Sequence, residues 1–137
     1  MTETLSSLIQ AAKSGATEVP PAAASDALRK GEIQLVVDVR EPHEFQEGHL
    51  PDAINVPRGV LELRADPASP VTDAALSSQQ GGRVVVYCTK GPGARSLLAA
   101  QTLASMGYDG VEVLGGGLIA WEQEGLPVER ATDTAGS

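Results

Sequence analysis

Two short apolar runs, Leu35-Val-Val-Asp-Val39 and Val84-Val-Val-Tyr87, constrain the fold of this chain more than any other feature. Each is too short for a buried helix, and each is dense in β-branched or aromatic residues, so both read as central strands. Between and after them the pattern turns helical. Arg95 to about Met106 carries Leu97, Leu98, Ala100 and Leu103 at helical spacing, with Gly107 placed as a left-handed cap. A third strand spans Val111 to Leu114, and Gly115-Gly-Gly117 leads into a helix to Glu124. Alternating strand-like and helix-like segments predict an α/β protein with a mainly parallel central sheet.

The remaining segments fit that frame. Residues 3–13 predict a short amphipathic helix through Leu5, Leu8, Ile9 and Ala12. Ser25 or Asp26 is an N-cap for a helix to about Lys30, which Gly31 closes. A brief helix after Pro42 runs through Glu44 and Phe45 to Gly48. A short strand at Ala53 to Val56 stops at Pro57, a helical turn or two follows from Gly59 to Arg64, and another lies near Ala74 to Ser78. With 137 residues and no internal repeat or linker, residues 1–137 read as one domain. Its core covers about 20–129, a helical extension covers 1–19, and a polar, frayed tail covers 130–137.

Composition excludes several classes. The formal net charge of −8 argues against a nucleic-acid binder, since phosphate contacts need a basic face. No apolar run reaches membrane-spanning length, and the first residues lack the basic start and apolar stretch of a signal peptide, so the expectation is a cytoplasmic protein without membrane partners. One cysteine cannot form an intramolecular disulfide. One Cys and two His residues do not make a zinc site, and the expectation is no metal and no cofactor.

That one cysteine, Cys88, sits where the second strand ends and a helix is about to begin. A lone cysteine in an apolar strand is usually a small buried hydrophobe. Here Gly91, Pro92 and Gly93 end the strand, Lys90 and Arg95 follow within seven positions, and a helix starts directly afterwards. Turn N–H groups, a helix N-terminus and nearby cations favour a thiolate, which makes Cys88 a candidate nucleophile. No acid occurs between Thr89 and Ser105, so an otherwise acidic protein would carry one cation-rich pocket for small anions. The C-terminal edge of a parallel sheet is also where such proteins bind ligands.

Three blocks then resemble the rhodanese-like (thiosulfate sulfurtransferase) family in its single-domain form. The first is Val37-Asp38-Val39-Arg40-Glu41 with Glu44, and then Gly48-His49-Leu50-Pro51-Asp52-Ala53-Ile54-Asn55-Val56-Pro57. The second is Val86-Tyr87-Cys88 through Arg95-Ser96 to Gly107 and Tyr108. The third is Leu114-Gly-Gly-Gly117 with Trp121, then Gly125-Leu126-Pro127-Val128. They cover about 20 to 129 in the family's order. The resemblance implies a central parallel sheet with helices on both faces and a Cys88 that carries a persulfide. It implies a small anionic sulfur donor such as thiosulfate, and a cyanide or thiol acceptor or a protein acceptor. It also implies a substrate loop of Thr89, Lys90, Gly91, Gly93, Ala94 and Arg95, in which Arg95 and Lys90 hold the donor.

Asp38 and Arg40 match the family's strand-end Asp-x-Arg and read as a structural ion pair supporting the cysteine loop. His49 reads as a hydrogen-bonded turn residue, Gly115 to Gly117 as a tight turn, and Trp121 as core. The common sulfurtransferase loop has four residues between Cys and Arg, the phosphatase-like branch five, and this chain six. The extra Pro92-Gly93 either bulges outward or widens the pocket for a larger donor. A Cys-dependent phosphatase or arsenate-reductase-like anion enzyme, and a non-enzymatic sulfur-carrier or interaction module, are the competing readings.

Overall fold

The structure, a computed structural model, describes residues 2–91 and 93–130. Pro92 and the tail from 131 onward, including most of the segment read as frayed, lie outside the described residues. Five parallel strands form one sheet: β1 (Glu18–Val19), β2 (Leu35–Asp38), β3 (Ile54–Asn55), β4 (Arg83–Tyr87) and β5 (Gly110–Leu114). Their order is β1-β5-β4-β2-β3, so β4 is central. The helices are α1 (Leu5–Ser14), α2 (Pro21–Arg29), α3 (Pro42–Glu47), α4 (Leu61–Ala65), α5 (Ala74–Ser77), α6 (Ala94–Ser105) and α7 (Gly117–Gln123), with a 3-10 turn at Arg58–Val60.

The two-residue period of the strands divides the core. On one face Val37, Val84, Val86 and Val113 pack with Leu97, Ala99 and Leu103 of α6, and with Leu61 and Ala65 of α4. On the other, Val36, Val85, Tyr87 and Leu114 meet Ala24 and Ala27 of α2 and Leu118 and Trp121 of α7. Burial on both sides is why β2 and β4 show no polar alternation. Trp121 is a core residue, fully buried, with its indole N–H donating to the Pro127 carbonyl at 2.8 Å. Gly107, at φ +93°, ends α6.

One sequence expectation needs correction, and two features go beyond what the sequence predicted. The helix near 25 begins at Pro21, with Pro20 as N-cap, because a proline fits the first helical position, where its missing N–H is no loss. Edge strand β1 escaped the sequence, since two residues carry no period. It exists because Val113 N–H donates to Thr17 O at 2.8 Å and Gly115 N–H to Val19 O at 2.9 Å. In α1 only Ala12 is buried and Ile9 partly so, while Leu5 (62%) and Leu8 (41%) are exposed. Among the described residues no helix is long and apolar enough to cross a membrane.

Candidate active site

Strand β4 ends at Tyr87, and Cys88 lies at its C-terminal exit, 3% exposed. Backbone groups fix the direction of that exit. The Leu118 N–H donates to Cys88 O at 3.0 Å and the Ile119 N–H to Thr89 O at 2.9 Å, so the start of α7 takes up two carbonyls left open beyond the strand. Gly115 to Gly117 form the expected tight turn, with Gly116 at φ +75° and Gly117 at φ +64°. The turn also packs against the cysteine loop. A Cβ on Gly117 would lie 2.7 Å from Cys88 O and 2.9 Å from Lys90 N, and one on Gly91 would lie 2.8 Å from Gly116 N. Glycine is required at both positions by close backbone approach.

Beyond Cys88 the chain turns into α6, with Gly93 as N-cap. A Cβ on Gly93 would overlap Cys88 Sγ, so Gly93 lies against the sulfur and is not part of an outward bulge. The thiol lies 3.6 Å from Lys90 O, which accepts from it, and 3.2 Å from Ser96 Oγ. Ser96 is buried and its hydroxyl also lies 3.3 Å from Gly93 O, so it can donate to that carbonyl or turn to the sulfur. No backbone or side-chain oxygen among the described residues accepts from the N–H groups of Thr89, Lys90, Gly91, Gly93, Ala94 or Arg95. An anion held here would meet free donors at a helix N-terminus.

Cys88, Thr89, Lys90, Gly91, Gly93, Ala94 and Arg95 line one open cavity of about 380 Å³. The two cations differ. Among the described residues, exposed Lys90 pairs with no acid. Arg95 is held by Glu44 of α3, with Nη1 to Oε1 at 2.7 Å and Nη2 to Oε2 at 3.3 Å, while Nη2 lies 3.4 Å from Thr89 Oγ1. The Arg95 hydrogen bond lowers the Glu44 carboxyl to about 2 against the opposing pull of partial burial, so Glu44 is ionised at neutral pH. The same bond raises Arg95. One of the two cations of the pocket read as cation-rich is therefore paired with a carboxylate from a distant segment, which does not itself line the cavity.

Asp38 and Arg40 do not line the cavity. Asp38 is fully buried; Arg40 Nη2 donates to its Oδ2 at 2.7 Å and Arg40 Nε to its Oδ1 at 3.0 Å. Arg40 Nη2 also donates to Gly48 O at 2.6 Å, and its guanidinium lies 5.8 Å from the centre of the Tyr87 ring. The Tyr87 hydroxyl accepts from Leu50 N–H at 3.1 Å. Burial, reinforced by the negative charge of Asp38, pushes its acidity well out of reach at any ordinary pH. His49 stacks on Phe45 at 3.7 Å, its Nδ1 lies 2.8 Å from Phe45 O, and its backbone bridges Glu129. It is a turn residue held on several sides.

Sequence reasoning did not assign Ser96 or Glu44 a role. The only signal for Ser96 was its place in the first turn of the helix after the cysteine. Glu44 is 51 positions from Arg95 and gave none beyond its place in the first matching block. Among the described residues no group of three or more His, Cys, Asp or Glu side chains converges as a metal site requires. A second cavity of about 290 Å³ between α1 and α6 is lined mostly by small residues such as Ala12, Ala100 and Ala104, and has neither the cysteine nor a cation.

The family model for the rhodanese-like domain matches residues 20–124. A sulfurtransferase of Allochromatium vinosum is 35% identical over 111 residues, which is 81% of this chain and 92% of that protein. Thiosulfate sulfurtransferase 16, a chloroplastic protein of Arabidopsis thaliana, is 36% identical over 109 residues, 77% of this chain and 87% of that one. Among solved structures, a Rhodopseudomonas palustris protein of unknown function, called a possible tyrosine phosphatase, superposes with a TM-score of 0.84 at 32% identity, covering 94% of this chain and 96% of that one. The family model over residues 20–124 and relatives at 35% and 36% identity together place the chain in the rhodanese-like family.

Proposed function

We propose that the protein is a sulfurtransferase that moves a sulfane sulfur from a small anionic donor, thiosulfate or a related compound, to cyanide or a thiol through a Cys88 persulfide. The observation that carries this reading is a buried cysteine thiol in a cavity whose loop N–H groups have no oxygen partner among the described residues. The Cys88 thiolate attacks the outer sulfur of the donor. The donor's sulfur–sulfur bond breaks, its electron pair leaves with sulfite, and a new bond joins Sγ to the transferred sulfur. The terminal sulfur is then anionic, and the free N–H groups of the loop stabilise it as an oxyanion hole stabilises oxygen. An acceptor attacks that sulfur, and the electron pair of the Sγ–S bond returns to Cys88. Cyanide leaves as thiocyanate and a thiolate leaves as its persulfide. The Ser96 hydroxyl, turned from Gly93 O to Sγ, supports the thiolate at the start and end of the cycle. No resident cofactor enters this scheme.

A phosphatase-like reading needs an acid to protonate the departing oxygen. The Glu44 carboxyl, paired with Arg95 of the cavity lining, is held ionised and is unsuited to that role. Intact mass after incubation with thiosulfate tests the proposal. The wild-type chain is expected to gain one sulfur and lose it on addition of cyanide. Cys88→Ser, nearly isosteric but unable to form a persulfide, is expected to fold, gain nothing and produce no thiocyanate. Turnover in that variant would overturn the assignment, and a fully active chain that never carries sulfur would exclude the persulfide.

A further inference from the structure

Charge at the cavity distinguishes donors that the overall reaction does not. The cavity lining supplies two cations, Lys90 and Arg95. Glu44 covers both terminal nitrogens of Arg95 with a two-pronged contact at 2.7 and 3.3 Å, and its carboxylate is itself anchored, because Oε1 accepts from the Glu41 N–H at 2.9 Å. Once Cys88 is a thiolate, Lys90 balances it and Glu44 balances Arg95. The site is then neutral before a donor arrives. A doubly charged donor must either enter a neutral site with both charges or displace an anchored carboxylate from Arg95. A singly charged donor carries only one charge into the same field.

Resting on the sulfurtransferase reading, we infer that Glu44 selects for singly charged sulfane donors, the organic thiosulfonates and persulfides, over the thiosulfate dianion. Thiosulfate and methanethiosulfonate form a matched pair for this purpose, since a methyl group replaces one charged oxygen and the outer sulfur is unchanged. In each case the Cys88 thiolate bonds the outer sulfur. The donor's S–S electron pair leaves with sulfite in one case and methanesulfinate in the other.

The test measures kcat/KM for both donors, with cyanide as acceptor and thiocyanate as the readout, in wild type, Glu44→Gln and Glu44→Asp. Wild type is expected to favour methanethiosulfonate, and added salt is expected to narrow the gap by screening. Gln keeps an oxygen for the Glu41 N–H while removing the charge. Glu44→Gln is expected to raise thiosulfate relative to methanethiosulfonate on the order of tenfold, the effect of one nearby charge at intermediate dielectric. Glu44→Asp, which keeps the charge, is expected to preserve the wild-type ratio; a ratio that moved as in Gln would point to shape and overturn the inference. Equal change for both donors in Glu44→Gln would make Glu44 only a support for Arg95 and overturn the selectivity. A wild type that prefers thiosulfate would overturn it without any variant. Failure of wild type with both donors would sink the sulfurtransferase reading itself.

Discussion

Cys88 is surrounded by contacts that allow little substitution: Ser96 Oγ at 3.2 Å, the Lys90 carbonyl, and a glycine at 93 whose Cβ would overlap the sulfur. The cations beside it are less equivalent than their shared charge implies. Lys90→Ala removes one exposed, mobile charge and is expected to raise KM for anionic donors modestly. Arg95→Ala also uncovers the Glu44 carboxylate, so its cost is expected to be larger, about 1–3 kcal/mol in kcat/KM. Adding Glu44→Gln to Arg95→Ala separates two ways in which Arg95 acts. Partial recovery of kcat/KM in the double variant means that much of the loss came from the exposed carboxylate. No recovery means that Arg95 grips the donor directly.

At the scale of elements, the cysteine loop is held in place by a turn that follows in sequence but precedes α7 in space. Gly117 combines a left-handed φ of +64° with backbone atoms of Cys88, Thr89 and Lys90 within 3 Å of a would-be Cβ. Gly125 has a similar φ of +73° with nothing within 4 Å. Gly125→Ala therefore carries only the backbone strain, about 1 kcal/mol. Gly117→Ala carries that strain and must also push the loop away from the turn, so a further loss of roughly 1–3 kcal/mol is expected. Thermal unfolding of both variants beside the thiosulfate assay checks this. Gly117→Ala is expected to lose activity at temperatures where it is still folded, and Gly125→Ala to keep it. Equal activity in the two would mean that the turn does not position the cysteine.

For the molecule as a whole, the Glu44–Arg95 pair joins α3 to α6 across 51 positions of chain and links stability to pH. Glu44 is lowered from 4.5 to about 2 in the folded protein, first by the Arg95 hydrogen bond. A depressed carboxyl contributes fully above its unfolded value and loses that contribution as pH falls towards its folded one. The difference in Tm between wild type and Glu44→Gln is thus expected to be constant from pH 7 to about 5, to shrink from 4.5 downward and to vanish near 2. Because the Arg95 side chain is 39% exposed, solvent screening holds the plateau to about 1 kcal/mol or less. A difference that persisted at pH 2 would assign the effect to packing.

Much of this architecture was legible because its determinants are local. The β-branched runs of β2 and β4, the leucine spacing of α6 and the Gly-rich breaks around Cys88 fixed the strands, the main helix and the loop, and a contiguous loop brings its own residues together. Where a local signal was misread, as at Pro21, the start of a helix shifted by a few positions. The sequence by itself determined that a cysteine would stand at the end of a central parallel strand, beside Lys90 and Arg95. Only the tertiary structure decided which of those cations is free to meet an anion. That depends on Glu44, brought from α3 by the packing of two crossover connections, and an ion pair between distant segments leaves no periodic trace in a sequence. The two-residue strand β1 was invisible for the same reason, being defined by hydrogen bonds to β5 and its flank and not by any pattern of its own.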